Sequence, residues 1–384
     1  MKNICLNVFN LFYFLLNIVA ISLLFEKIKS KQIKFSQEYL NLINFVNSNN
    51  GYINPKLIPN EISNTNRFII AKEKIKKDEI LLFIHDEILI SKLHKLIFSK
   101  CQEAYGLEEE YEFECIVYFM TIDKYNSSSI FKPYYDYLPE INISDFVFSF
   151  NEKEKELFKE TGITEGIKNY EQFLNKALKP VEEKLKKFSI KNNIKYENLL
   201  EEFKYNFIIV GTRNFGRPES IFDVNTMVPF LDLINHSDKN NTYWYYEEKK
   251  KGYVLIAARD IEKNEEITDS YGKYSNSRLY EIYGFVIPGN IINDNVYIKI
   301  NGEGITLNIN FLNSKIESMF EKLVRMKNYE FNNAKNYILK ELNNKKDYYL
   351  KLKTNRFSMN VIIKEHIEII NIFINEVQKY KYKY

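Results

Sequence analysis

The chain of 384 residues is short of glycine (12) and proline (8), and holds one tryptophan, four histidines and three cysteines. Neither Gly-x-Gly-x-x-Gly nor Gly-x-x-x-x-Gly-Lys occurs, and no series of βαβ units is legible. This excludes a dinucleotide-type nucleotide fold and a P-loop. The cysteines (Cys5, Cys101 and Cys115) are odd in number and form no Cys-x-x-Cys. The histidines (His85, His94, His236 and His366) are scattered. Both facts argue against a disulfide framework, a zinc site and a metal-dependent hydrolase. No charge sign is in excess: 54 Lys and Arg against 51 Asp and Glu leave +3. That is too little to imply nucleic acid binding.

What is present is apolar and aromatic. Hydrophobic residues make up 45% of the chain, with Tyr and Phe at 29 each, enough to build a core in two or three domains. Lys- and Asn-rich stretches follow the bias of an A/T-rich coding sequence and carry no functional weight. The one long apolar run is N-terminal. Residues 3–25 carry no charge, Lys2 precedes them, and Lys27, Lys29, Lys31 and Lys34 follow. The run is long enough to cross a bilayer, and Ala20 and Ser22 give a small-x-small cleavage pattern. Residues 1–30 are therefore expected to be a signal or anchor segment. Such a segment directs the chain to the secretory route, an organelle such as a plastid, or a membrane. Four asparagines within the run leave a buried helix as the alternative.

Beyond it, residues 35–53 show helical periodicity and then turn chemistry at Asn49-Asn50-Gly51. RFIIA (67–71) and ILLFI (80–84) read as strands around a charged turn. A second copy of this unit lies downstream: Ala71-x-x-x-Ile75-x-x-x-Glu79-Ile80 is echoed by Ala257-x-x-x-Ile261-x-x-x-Glu265-Glu266-Ile267. Two similar β-hairpins are expected. Between them, about 87–210, the pattern is helical, with Pro180 interrupting a helix over 169–188. From 310 onward the chain is amphipathic and helical. The fold class is α+β.

Two stretches carry chemistry. TMVPFLDLINHS (226–237) reads as a strand running into Asp232, Asn235 and His236. DSYGKYSNSRLYEIYGF (269–285) brings Tyr271, Tyr283 and Phe285. Each alone is weak, because polar residues at a strand end often form local side-chain-to-backbone turns.

In this order and spacing the two stretches resemble the core of the SET-domain lysine methyltransferases, in the branch of the Rubisco large-subunit methyltransferase. GTRNFG (211–216) resembles the Arg-bearing strand before the Asn-His motif of that branch. Residues 42–58 and 66–84 resemble its N-terminal segment, and FKPYYDYLPE (131–140) the Pro-bearing loop of its helical insert. The resemblance covers roughly 35–384 and thins after 300. It implies a SET β-fold over 35–290 with a threaded, knot-like C-terminal segment, a helical insert, and a helical substrate-binding domain over 291–384.

It also implies S-adenosyl-L-methionine as cofactor, no metal, and a lysine-bearing, non-histone protein as substrate of a monomeric enzyme. Methyl transfer from a sulfonium is an in-line displacement that depends on alignment. It needs a neutral amine, and an apolar channel lowers a lysine's pKa by desolvation. By the resemblance Tyr271 orients the amine. Asn235 and His236 hold the cofactor with Asp232 beside them, Arg213 contacts it or braces its pocket, and Tyr283 and Phe285 pack nearby. Asn64, Thr65 and Asn66 are carried over as contacts from the N-terminal loop. There the sequence departs from the family, with Asn64-Thr65-Asn66-Arg67-Phe68 where Gly-x-Gly-Arg-Gly is usual; asparagine is the residue that best tolerates the glycine conformation. Asn235-His236-Ser237 is also a glycosylation sequon, and a sugar there would block the site. A histidine acceptor, a noncatalytic binding module and a membrane-tethered structural protein remain open.

Overall fold

The computed structural model describes residues 35–61, 63, 67–106, 111–216, 225–327 and 329–381. The expected leader (3–25) and Asn64, Thr65 and Asn66 lie outside the described residues. No helix among the described residues is long and apolar enough to cross a membrane.

Helix α1 (Gln37–Ser48) starts at Ser36, whose side chain accepts from the Tyr39 N–H, and buries Tyr39, Leu42, Phe45 and Val46 at helical spacing. Strands β1 (Tyr52–Ile53), β2 (Leu57–Glu61), β3 (Arg67–Ala71), β4 (Ile80–His85) and β5 (Ile90–Ser91) follow. The helical insert comprises α2 (Lys95–Tyr105), α3 (Glu112–Asp123), α4 (Lys132–Tyr135), α5 (Glu152–Leu157), α6 (Ile163–Leu178), α7 (Glu182–Lys191) and α8 (Tyr196–Arg213). Pro180 falls in the gap between α6 and α7, as expected of a residue that cannot donate in a helix. Cys101 on α2 and Cys115 on α3 are disulfide-bonded, a link that the cysteine count gave no reason to expect.

Strands β6 (Asn214–Phe215), β7 (Thr226–Met227), β8 (Asn235–His236), β9 (Thr242–Glu247), β10 (Gly252–Ala257) and β11 (Thr268–Asp269) lead to helix α9 (Asn276–Tyr283). A hairpin, β12 (Val296–Ile300) and β13 (Glu303–Leu307), precedes helices α10 (Leu312–Lys327), α11 (Phe331–Lys351) and α12 (Phe357–Lys379). The sheets have the orders β1-β4-β10-β9 and β5-β7-β6, with β2 paired to β3 and β8 parallel to β11. One core gathers α1, the sheets and most of the insert. A second gathers α10–α12 with Val147, Phe150, Phe158, Ile163 and Ile167 of the insert and Tyr280 of α9.

The two echoing units are not hairpins. β3 pairs with β2, while β4 pairs with β1 and β10. Instead the two units pair with each other, antiparallel. Ile75 and Ile261 exchange both backbone hydrogen bonds, at 3.0 and 2.9 Å; nearby, the Ala257 N–H donates to Glu79 O at 3.1 Å and the Asp78 N–H to Ala257 O at 2.9 Å. The side chains repeat the symmetry. The Glu79 carboxylate accepts from the Lys76 N–H and from the Asn54 amide; that of Glu265 accepts from the Glu262 N–H and from the Asn241 amide. Ala71, Ile75, Ala257 and Ile261 are fully buried between them. The repeated spacing thus encodes a two-fold-like contact that fixes β3 and β11 relative to each other.

Candidate active site

The functional stretches meet where β11 lies parallel to β8. The Ser237 N–H donates to Asp269 O at 2.9 Å and the Asn241 N–H to Thr268 O at 3.1 Å. The expected single strand into Asp232 is instead short β7, a turn at Phe230 with φ 74°, and a 3-10 turn over Leu231–Leu233. This kinked path turns Asp232 inward and presents the Ile234 carbonyl to the next segment.

Tyr271 is held at both ends. Its N–H donates to His236 Nδ1 at 3.0 Å, and its hydroxyl donates to Ile234 O at 2.9 Å. An accepting Nδ1 places the proton of a neutral His236 on Nε2, which faces Asp238 Oδ1 at 3.4 Å. Burial lowers the His236 pKa against the pull of Asp238. Burial likewise raises the Tyr271 hydroxyl far above its ordinary value, opposed by Arg213 and reinforced by Tyr283, Asp232 and Asp269. The rings of His236 and Tyr271 lie 5.2 Å apart, those of Tyr271 and Tyr283 5.0 Å, and Phe285 is 6.0 Å from His236. Gly272 follows with φ 124°, where a Cβ would stand 2.8 Å from the Tyr274 ring, so no other residue fits there without displacing the ring.

Arg213 is the last residue of α8 and not part of a strand as the resemblance suggested; the helix runs through Gly211-Thr212-Arg213 before β6 begins. Its guanidinium donates to Asp232 O at 2.6 Å and stands 3.6 Å from Asp232 Oδ2. Tyr134 donates to the same Oδ2 at 2.8 Å, while Oδ1 is buried without a hydrogen-bond partner. Burial raises the Asp232 pKa against the opposing Arg213. The Asn235 amide donates to Arg67 O and Glu266 Oε1 at 3.2 and 3.0 Å, tying β8 to the start of β3.

Two cavities flank the Ile234–Asn235 step and share Arg213. The larger, about 290 Å³, is walled by Thr212, Arg213, Phe215, Asp232, Trp244, Asp269, Tyr271, Tyr274 and Tyr283. The smaller, about 70 Å³, is walled by Arg67, Phe68, Tyr137, Arg213, Leu233 and Asn235. A roomier cleft of about 800 Å³ between α3, α6, α8 and α9 touches the site only through Asn214. It lacks every site residue singled out from the sequence.

Of the residues named from sequence, Tyr271, Tyr283, Arg213 and Asp232 line the larger cavity, and Asn235 with Arg213 lines the smaller. His236 and Phe285 back the Tyr271 ring without facing either. Three groups went unnoticed. Arg67 donates to Tyr137 O at 2.8 Å and lies 4.8 Å over the Tyr137 ring. Trp244 closes the larger cavity. Asp269, 6% exposed, has its carboxyl raised to about 6 by burial, opposed by the Ser270 N–H and the Trp244 indole. Its place two residues before Tyr271, on the same extended segment, was the available signal.

The SET domain profile matches residues 66–272. N-lysine methyltransferase setd6 of Xenopus laevis is 25% identical over 259 residues, covering 62% of this chain and 54% of that protein. Ribosomal lysine N-methyltransferase 4 of Saccharomyces cerevisiae is 24% identical over 266 residues, covering 61% and 52%. The chain thus spans about half the length of these curated relatives. Among solved structures, the SET domain of LSMT bound to lysine and AdoHcy matches with a TM-score of 0.59 at 13% identity, covering 90% of this chain and 92% of that one. Rubisco LSMT bound to AdoMet matches at 0.58 and 15% over 90% and 92%. These identities speak for the fold alone. The profile, however, runs over more than half of the chain, through β3, β8 and Tyr271, and on that ground the chain belongs to the SET-domain family.

Proposed function

We propose that this chain is an S-adenosyl-L-methionine-dependent protein-lysine N-methyltransferase acting on a non-histone protein. The observation that carries the reading is the placement of Tyr271. Its hydroxyl is fixed on Ile234 O at the step between two cavities that share Arg213.

The residues present fit such a cofactor. The smaller cavity has the donors for the amino-acid end of the molecule: Arg67 and Arg213 suit a carboxylate, and Asn235 lies beside them. Asn64, Thr65 and Asn66, which precede Arg67 in sequence, belong to the same proposed contact set, as do Asp232, His236, Tyr283 and Phe285 around the step. When bound, the cofactor supplies a methyl group on a sulfonium. The chain's own residues orient and desolvate the acceptor. Aromatic faces of Tyr271, Tyr274, Tyr283 and Trp244 receive an alkylammonium stem. Tyr271 then positions the nitrogen, and positioning alone supplies several kcal/mol in reactions of this kind. Curated relatives named for lysine methylation, one of them ribosomal, support the substrate class.

The test is a thermal-shift assay on residues 31–384 with S-adenosylhomocysteine. Ligand at about 100 times its dissociation constant stabilises the native state by about 2.7 kcal/mol. A clear upward shift, lost in Asn235→Ala, is expected. No shift at millimolar ligand in a folded sample would favour the second reading, a noncatalytic SET-fold binding module. That reading draws on Asn64, Asn66 and Phe68 standing where the family has glycine.

A further inference from the structure

Resting on that reading, we propose that Asp269 is the counter-ion for the target side chain in the acceptor cavity, and that it makes the site selective for an alkylammonium over a neutral imidazole. Asp269 lines the larger cavity together with Tyr271, Tyr274, Tyr283 and Trp244, and its carboxyl accepts from the Trp244 indole of that wall. It is buried, and no cation among the described residues is paired with it. The other charged groups facing the cavity are already committed. Arg213 serves the Asp232 carbonyl and carboxylate, and Asp232 is additionally bonded by Tyr134. Tyr271 is committed to Ile234 O, and His236, on the strand paired with β11, accepts from the Tyr271 N–H. Asp269 is therefore the acidic group of the cavity left to receive a positive charge.

A buried carboxylate without a cation is an unfavourable arrangement unless a ligand completes it. The position satisfies what the acceptor needs twice over. An entering ammonium finds a buried counter-ion, and attraction to a buried charge is screened less than attraction to a surface one. The amine must then lose a proton before it can act as a nucleophile. Transfer of that proton from nitrogen to the Asp269 carboxylate leaves a neutral amine and a neutral acid, so no net charge is created. Burial makes Asp269 a better proton acceptor than an ordinary aspartate. A neutral imidazole brings neither the charge nor the proton.

The experiment needs no knowledge of the protein substrate. Protein loaded with S-adenosylhomocysteine is titrated by ligand-observed NMR with n-butylamine, 1-butanol and 4-methylimidazole, for the wild type, Asp269→Asn and Asp269→Glu. At pH 8.5 the wild type is expected to prefer butylamine over both neutral probes by about tenfold or more. Its butylamine affinity should rise with pH through about 6 as the carboxyl ionises, while butanol binding stays flat. Asp269→Asn should lose the preference and the pH dependence yet keep butanol and S-adenosylhomocysteine, which shows that it is folded. Asp269→Glu should restore part of the preference. Equal butylamine affinity in wild type and Asp269→Asn, or a wild-type preference for 4-methylimidazole, would overturn the proposal. So would a pH dependence that survives in Asp269→Asn, because it would assign the role to Asp232. Failure of the wild type to bind S-adenosylhomocysteine would instead remove the functional reading beneath it.

Discussion

Replacing Asp269 by asparagine should make the protein more stable at neutral pH, even as it harms the site. The carboxyl rises from its ordinary 3.8 to about 6 in the fold because burial penalises the charged form. The sign follows from proton linkage. Between pH 4 and 6 the native state holds a proton on Asp269 that the unfolded chain has released, so stability falls as pH rises through this window. Above about pH 6 the loss is complete. At about 1.4 kcal/mol per pH unit, the gap amounts to about 3 kcal/mol at pH 7.5, against about 1 kcal/mol at pH 4.5. The side chain is 6% exposed, so solvent screening takes little from this figure. Asparagine keeps an oxygen for the Ser270 N–H and the Trp244 indole, and carries no charge to desolvate. Urea unfolding of both proteins at the two pH values measures the difference, and every group common to both cancels. Asp269→Asn should gain about 2 kcal/mol more over wild type at pH 7.5 than at pH 4.5. A gain independent of pH, or none, would show that Asp269 ionises in the fold at an ordinary value and would refute the reasoning.

Three further outcomes follow from the geometry. Tyr271→Phe removes the hydroxyl on Ile234 O while leaving the ring in place; turnover should drop by about 100-fold with S-adenosylhomocysteine binding intact, and equal turnover would dismiss its orienting role. Arg67→Met should weaken S-adenosylhomocysteine by about tenfold in calorimetry but leave 5′-methylthioadenosine, which lacks the carboxylate, unchanged; parallel losses would mean that Arg67 only braces Tyr137. Ile261→Ala, at the contact between the echoing units, should destabilise the protein by about 2–4 kcal/mol in denaturant unfolding. A cost below about 1 kcal/mol would mean that this contact does not hold the sheets together.

The strands at 67–71 and 80–84 were legible because runs of isoleucine and leucine between polar turns have few other solutions. Pro180 marked its helix break for an equally local reason. The pairing of the echoing units was not legible. A repeat says that two segments adopt one conformation, not that they bind each other, and the partner of Ile75 lies far along the chain at Ile261. The cluster of Asn235, His236 and Tyr271 could be named because residue type and order carried the information. Arg213 was named but put on a strand, because nothing in Gly-Thr-Arg-Asn-Phe-Gly shows how far the preceding helix runs. Asp269 opens the stretch that was singled out but was not itself named, because its sequence neighbours do not show what packs against it. Asp269 is buried where β11 pairs with β8 and Trp244 of β9 covers its carboxyl, and both neighbours are non-local in sequence.

Three unfavourable features meet where β8 and β11 run side by side. Phe230 is fully buried at φ 74°, a conformation that bulky side chains rarely adopt. Two residues on, Asp232 keeps one carboxylate oxygen without a partner. Across the paired strand, Asp269 carries a desolvated carboxyl. None of the three helps the fold, and each is of a kind that costs about 1–3 kcal/mol. The contact between the echoing units does the opposite: it buries two alanines and two isoleucines, satisfies its backbone groups reciprocally, and anchors the segment that leads into β11. Strain and desolvation persist in a native state where surrounding structure over-determines them. The contact supports the sheets, and the three costly groups lie at the crossing of β8 and β11, where the proposed site stands. That division also explains why the substitution expected to stabilise the protein most at neutral pH is one expected to remove its grip on an amine.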